Sequence, residues 1–356
     1  MFIPPRGPNN DCSHHAQPSP NVFVRRGTYR PTCRPRPVPR VSSKCCGRSF
    51  SRQTFRADYR DHKPHLNYRV IELLCSGIGY RQAARLLGLT RKSLEAKARK
   101  ISRNALQLDL NLKARGPVTW PQGNPPWKQE LHFDEFETYE TRRNTRPLSV
   151  AVMIETKSRF LVAAIAAPSR PRGKMTRQRI AAIEAENELF GPRQDRSRLA
   201  CRSVFRRAAR LRSRAQEIVL RTDEKSSYPG FAREAFAGRR VTHLRTPSVM
   251  PRTEANPLFP INHTEALLRD LMGRLRRESW LVSKLRTYLN LHLALHAAYR
   301  NWVRPRFNRD SESPGQLAGF ARRRLRVSEL CGWRQDWGSR SICPLGEGYG
   351  RVRPAA

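Results

Sequence analysis

The sequence predicts an α/β fold: a mixed β-sheet with flanking helices, preceded by a small all-helical unit. Short apolar runs at about 131–136, 148–155 and 160–166 follow one another as three successive strands do. After them, stretches with helical spacing alternate with two further short runs, at about 217–221 and 240–244. Upstream, between Leu66 and Leu112, apolar residues recur at three- and four-residue steps, the period of helices.

From Met1 to about Arg40 the chain is rich in Pro, Arg and small polar residues without apolar period. This predicts a basic flexible arm over 1–40, or a very small metal-stapled unit. Cys12 and His15 make a C-x-x-H pair, and Cys45 and Cys46 precede Gly47. These four soft ligands could close a small zinc ribbon with Zn²⁺. The spacing is poor, because adjacent cysteines rarely share one structural zinc and the usual two-residue gap falls on Ser43. A degenerate or metal-free ribbon over 41–65 is the other reading.

The helical unit is expected over 66–115, with Val70, Leu73 and Leu74 on one helix, Ala83, Ala84 and Leu87 on the next, and Leu94, Ala98 and Ile101 on a third. Small Ala84 lets two helices cross closely, Gly88 permits a tight turn, Leu89 plugs the corner, and Thr90 can cap the following helix. The expected helix-turn-helix would present Arg91, Lys92, Ser93, Lys97 and Lys100 outward, as a major-groove reader requires. A generic helical hairpin uses the same Ala-Gly-Leu spacing. A linker rich in Pro and Gly is expected over 116–129, the sheet domain over 130–320, and a basic disordered tail over 321–356. Within the sheet domain, helices are expected at about 176–188, 199–214 and 231–237, with long helices from 264 to 302.

Lysine and arginine total 69 against 29 acidic residues, a formal charge of +40. A compact chain this positive repels itself unless a polyanion neutralises it, so nucleic acid is the expected partner. GC-rich coding explains a preference for Arg over Lys but not the shortage of acids. No apolar run approaches the roughly 20 residues of a membrane span, and residues 1–21 are too polar for a signal peptide. A cytoplasmic, nucleoid-associated protein with no membrane partner is expected. Cys75 lies on a helical apolar face, and Cys201, Cys331 and Cys343 are isolated, so no disulfide framework is suggested.

Against that charge three acids stand out. Asp134 and Asp223 come at the ends of apolar runs, and Glu265 opens an amphipathic helix. Cleaving or joining a phosphodiester requires an activated nucleophilic oxygen, a stabilised leaving oxygen and neutralised charge, and two divalent ions about 3.5–4 Å apart do all three. Mg²⁺ (or Mn²⁺) takes oxygen ligands and keeps several waters, so a few carboxylates suffice. Each acid also has a plainer role. One of each neighbouring pair, Asp134-Glu135 and Asp223-Glu224, could be a solvated strand-end charge, and Glu265 a first-turn acid on its helix dipole.

In this order the residues resemble a known family, the bacterial insertion-sequence transposases of the DDE type (insertion-sequence-one-like), with an RNase H-like catalytic domain. The resemblance covers about 45–320. It rests on Cys46-Gly47-Arg48-Ser49-Phe50-Ser51, Asp134-Glu135, Thr222-Asp223-Glu224 with Tyr228, Asn262-His263-Thr264-Glu265, Leu268-Arg269-Asp270 and Arg274-Leu275-Arg276-Arg277. Asn262 and His263 look like the family's active-site pair, with a helix-capping Asn262 as the structural alternative. Ser283-Lys284 and Tyr299-Arg300-Asn301 look like its basic C-terminal helices. The chain departs from the family at the zinc ribbon.

The resemblance implies an enzyme that binds the terminal inverted repeats of its element and target DNA. It would cleave and transfer strands with two Mg²⁺ held by Asp134, Asp223 and Glu265, and act as a homo-oligomer in a synaptic complex. The alternatives are a catalytically inactive or domesticated DNA-binding regulator derived from a transposase, and an RNA-binding protein using the same charge.

Overall fold

Residues 2–118, 128–211, 217–276 and 280–346 are described by a computed structural model of the chain. Three strands near the N-terminus, β1 (Phe23–Tyr29), β2 (Val38–Ser43) and β3 (Ser49–Ser51), pair antiparallel in that order. Phe23, Val41, Phe50 and Phe55 form their small core. Residues 1–40 are therefore not the free arm expected. Their apolar residues stand singly among Arg and Pro; Phe23 packs on Phe50 of the small sheet, while Phe2, and Phe55 just beyond them, find partners at the far end of the chain. Phe2 stacks on Trp333 with centroids 5.7 Å apart, and Phe55 meets Trp337 edge-on at 5.3 Å.

The tail expected to be disordered beyond residue 320 packs as well. Leu325, Leu330, Cys331, Ile342 and Cys343 are buried. Leu325 N donates to the Trp302 carbonyl at 2.7 Å, and Asn104 Nδ2 donates to the carbonyls of Leu330 and Trp333, each at 3.0 Å. Residues 347–356 lie outside the described residues.

The helical unit holds α1 (Asn67–Leu74), α2 (Tyr80–Leu86) and α3 (Arg91–Arg115). Gly88 takes φ +57° in the turn, and the Thr90 side chain caps α3 by accepting from Ser93 N at 3.1 Å. Helix α3 ends at Arg115, where the helical unit is expected to end, because Ala105, Leu108 and Leu112 continue its apolar stripe. That stripe belongs to the same core as Leu131, Phe133, Phe205 and Leu220, so the helical unit and the sheet share one interior. Most of the linker expected between them, residues 119–127, lies outside the described residues.

The main sheet is mixed and five-stranded. Its members are β4 (Lys128–Tyr139), β5 (Pro147–Glu155), β6 (Leu161–Pro168), β7 (Glu217–Asp223) and β8 (Arg240–Thr246), in the order β6-β5-β4-β7-β8. The first three form an antiparallel meander; β7 is parallel to β4 and β8 to β7. Helices α4 (Arg177–Phe190) and α5 (Ser197–Ala209) connect β6 to β7, and α6 (Tyr228–Ala235) connects β7 to β8. The long helices expected from 264 to 302 are interrupted: α7 (Phe259–Leu271) ends in a 3-10 turn at Gly273–Leu275, and α8 (Arg286–Trp302) starts afresh, followed by short α9 (Pro314–Leu317).

Strand alternation divides the interior in two. Leu131 and Phe133 face α5, α6 and α3, whereas Phe136, Val150 and Val152 face α7 and one side of α8. Among the described residues no helix is long and apolar enough to cross a membrane.

Candidate functional site

The same alternation separates Asp134 from Glu135. Glu135 lies on the face of Phe133 and is fully engaged: it accepts from Lys225 Nζ, from Ser149 Oγ at 2.6 Å and from the Tyr228 hydroxyl at 2.8 Å. Burial opposes its charge, yet Lys225 and Ser149 hold its carboxyl below the usual range. Burial and the adjacent Glu135 push the Tyr228 hydroxyl up. Glu135 is thus a structural carboxylate tying β4 to α6, and Asp134 is left facing α7.

Strands β4 and β7 pair up to His132↔Arg221. Two residues further along both strands, Asp223 at the end of β7 comes beside Asp134, with roughly 4.8 Å between neighbouring strands. Burial, and then the charge of Asp223, pushes the Asp134 carboxyl up to about 6, against one hydrogen bond from Glu135 N at 2.7 Å. Helix α7 supplies Glu265, which is 4% exposed and has a buried Oε1 without a hydrogen-bond partner. Burial and then Asp134 push Glu265 up to about 8, opposed by Arg269 and Arg252.

Asp134 on β4 is therefore within electrostatic reach of Asp223 at the end of β7 and of Glu265 on α7. Two buried carboxyls, Asp134 raising Glu265, with an oxygen left unpaired, have the hard oxygen donors that a divalent cation such as Mg²⁺ or Mn²⁺ takes. Among the described residues no group of three or more His, Cys, Asp or Glu side chains is placed so as to hold a metal ion.

Helix α7 begins earlier than its sequence suggests. It opens at Phe259 with Pro260 in the first turn, so Glu265 stands in the second turn, away from the dipole position of a first-turn acid. Asn262 is inside the helix and does not cap it. The turn before the helix is held instead by Asn256, whose Oδ1 accepts from Leu258 N at 2.8 Å. Three residues before Glu265, Asn262 shares its face; two residues before it, His263 points to the opposite side. There the His263 ring lies between Phe259 and Phe307, at 5.8 and 6.0 Å, and burial followed by Arg159 lowers its pKa. The expected pair is thus split by the helix period.

Two residues at this site carried no sequence signal that singled them out. Arg252, in the loop between β8 and α7, acts electrostatically on both Asp134 and Glu265. His132, one pleat before Asp134 on the same face, is buried, and burial lowers it to about 4, so it is neutral. Its Nε2 meets Glu130 Oε1 at 3.2 Å, and Arg221 Nε donates to the same oxygen at 2.7 Å. The period-two spacing from Asp134 was the only available pointer to His132.

On α3, Arg91, Lys92 and Ser93 are exposed, with Arg91 Nε paired to Glu95 at 2.7 Å. Lys97 is not on the outer face: its Nζ donates to Asn67 Oδ1 at 2.9 Å and to the Lys63 carbonyl at 3.3 Å, beneath the start of α1. Lys100 is tied to Asp61 Oδ1 at 2.7 Å and to the Tyr59 carbonyl at 2.8 Å. The segment before α1 packs on this side of α3 and takes both amines.

In the small sheet, Cys45 and Cys46 occupy the turn between β2 and β3, where Gly47 takes φ +68°. The Cys12 thiol interacts with both of them, and hydrogen bonding from Ser43 and the Arg48 backbone lowers the Cys46 pKa. His15 Nδ1 is bonded to the Gly7 carbonyl at 2.8 Å, which orients the ring as a metal-ligating His would be. Soft thiols therefore converge, but Ser43 stands at the position where the usual spacing wants a fourth ligand.

No protein-family model matches the chain, and no curated protein matches it.

Proposed function

We propose that the chain is a DNA strand-cleaving and strand-joining enzyme of the DDE transposase type, with an RNase H-like catalytic domain. Its substrates would be the terminal inverted repeats of a mobile element and target DNA. The observation that supports this reading is the electrostatic reach of Asp134 to Asp223 on one side and Glu265 on the other, in a chain whose formal charge is +40. Bound there, two Mg²⁺ or Mn²⁺ ions would supply activation of an attacking oxygen and stabilisation of the leaving one.

The chain's own residues perform the rest. Glu135, clamped by Lys225 and Tyr228, fixes the strand end that carries Asp134. Arg252 offsets the acids' charge before an ion arrives. Neutral His132 lines the same face with its Nε2 turned to Glu130, which leaves its Nδ1 as a hydrogen-bond acceptor without a partner. In this reading α2 and α3 are a helix-turn-helix whose exposed Arg91, Lys92 and Ser93 meet DNA, and the thiol turn of the small sheet assists end recognition, with Zn²⁺ or without it. The protein would act on the nucleoid as a homo-oligomer. Ser43 at a ligand position favours a second reading, a DNA-binding regulator derived from such an enzyme.

Nicking of duplex DNA carrying the element's ends, with and without Mg²⁺, separates the two. Asp134→Asn and Glu265→Gln should lower nicking by two orders of magnitude or more, on the order of other losses of catalytic groups, while DNA affinity stays within about two-fold. A wild-type chain that binds these ends without ever nicking them supports the regulator. Undiminished cleavage by Asp223→Ala removes that residue from the site.

A further inference from the structure

Between α2 and the first turns of α3 on one side, and the chain from Gly273 into α8 on the other, lies a cleft of about 890 Å³. That volume is within the usual range of ligand pockets, about 300–1,000 Å³. Seven Arg and Lys side chains line it against one carboxylate, Glu95, which is already paired with Arg91. Two guanidiniums are held against rings: Arg274 lies 4.3 Å over Tyr80 and donates to Ser283 Oγ at 3.2 Å, and Arg99 lies 5.5 Å over Tyr288 and donates to its hydroxyl at 3.2 Å. Trp280, also in the lining, is 74% exposed.

The two walls are joined at glycines. A Cβ at Gly273 would stand 2.9 Å from the Gly77 carbonyl oxygen, and one at Gly77, which has φ +80°, 2.6 Å from that of Asp270. The cleft is thus set by backbone contact and not by side chains that happen to lean together.

We infer that this cleft binds an unpaired, single-stranded stretch of DNA, with Trp280 stacking on a base and Arg274 and Arg99 meeting phosphates. In a duplex the base faces are covered by one another and offer an exposed indole nothing. A single strand offers a ring face at every nucleotide, beside phosphates that suit the fixed guanidiniums. An acidic peptide matches the charge but leaves Trp280 without a planar partner. The inference rests on the proposed strand cleavage for its purpose, because cutting creates free strand ends. Helix α7 connects the two places: six residues, or about 9 Å of helical rise, separate Glu265 from Leu271, after which the chain turns at Gly273 into the cleft.

The test is fluorescence anisotropy with the full chain in EDTA, using a labelled oligothymidylate of about 16 nucleotides and a duplex of equal length. Trp280→Ala should weaken oligothymidylate binding about five- to a hundred-fold, the range for loss of one stacked base, with duplex affinity changed less than about two-fold. Trp280→Phe should restore most of the loss. Because Trp280 is exposed, thermal unfolding should not move.

The inference is overturned if Trp280→Ala binds oligothymidylate as the wild type does, if both nucleic acids weaken equally, or if polyglutamate competes as well as oligothymidylate. Without divalent ions the result is independent of cleavage. A cleaving enzyme with unaltered strand binding loses the cleft alone, and a chain with Trp280-dependent binding that never cleaves loses the enzyme reading alone.

Discussion

Replacing Glu265 with Gln should flatten the pH dependence of stability of the metal-free protein. The side chain is buried with one oxygen unpaired, and burial with Asp134 pushes its carboxyl up to about 8. In the unfolded chain the same group ionises near 4.3. The native state therefore keeps a proton that the unfolded chain has released. Its contribution is fully present below about pH 4 and is lost as pH rises through 8. Between about pH 5 and pH 8 the loss amounts to about 3 kcal/mol, at 1.36 kcal/mol per pH unit with partial titration at both ends.

Gln does not titrate, so the variant should gain on the wild type by that amount across the window, a shift in midpoint on the order of 5 °C. Differential scanning calorimetry in EDTA at several pH values measures it. Mg²⁺ at about a hundred times its dissociation constant should then return about 2.7 kcal/mol to the wild type at the upper pH, and much less to the variant. Parallel melting curves for the two proteins at every pH would refute the placement of Glu265 as a buried, unpaired acid of a cation site.

Two further perturbations probe the DNA face and the chain ends. Lys92→Ala should weaken duplex binding with little change in melting temperature, whereas Lys97→Ala should lower stability by about 1–3 kcal/mol, because Asn67 and Asp61 lose a buried partner; a Lys97 variant that melts normally but binds DNA poorly would return that residue to the outer face. Deleting residues after Arg322 should cost cooperative unfolding, followed by near-ultraviolet circular dichroism, since Leu325, Leu330 and Cys331 leave the core; a truncated chain with the wild-type melt would show the tail to be dispensable.

The main sheet was legible because its strands advertise themselves. Strand β5 is buried on both faces from Leu148 to Ile154 and reads as an apolar run broken only at Ser149. The acids were legible as positions but not as partners. Which member of Asp134-Glu135 faces α7 depends on Lys225 and Tyr228 sealing the other, and that contact spans about 90 residues of sequence. The inward turn of Lys97 was readable from the helix period, since it lies three residues after Leu94 and four before Ile101, on their face. Its charge argued for the surface, and the buried oxygens of Asn67 and Asp61 that satisfy it could not be seen. The chain ends were illegible for a different reason. Phe2 meets Trp333 and Phe55 meets Trp337 from the opposite terminus, and single aromatics in an arginine background leave no period to detect.

The shared interior has a consequence for the proposed chemistry. Lys113, near the end of α3, is buried with its Nζ bonded to Asp109 at 2.5 Å and to the carbonyls of Leu161 and Val162 on β6. Asp109 also accepts from Trp302 Nε1 at 2.9 Å, and His292 of α8 meets the Leu74 carbonyl at 2.9 Å. These bonds weld α1 and α3 to the sheet and to α8 through groups that would be costly to leave unpaired. The orientation of α2 and α3 relative to the acids is therefore part of the native packing. If α3 engages a duplex, the distance from that duplex to Asp134 is set by the fold, and the choice of phosphodiester becomes a matter of reach along the DNA. Loosening this weld, as by Asp109→Asn, should then blur the position of cleavage before it slows the cleavage step, a separation that mapping the nicked ends at single-nucleotide resolution would detect.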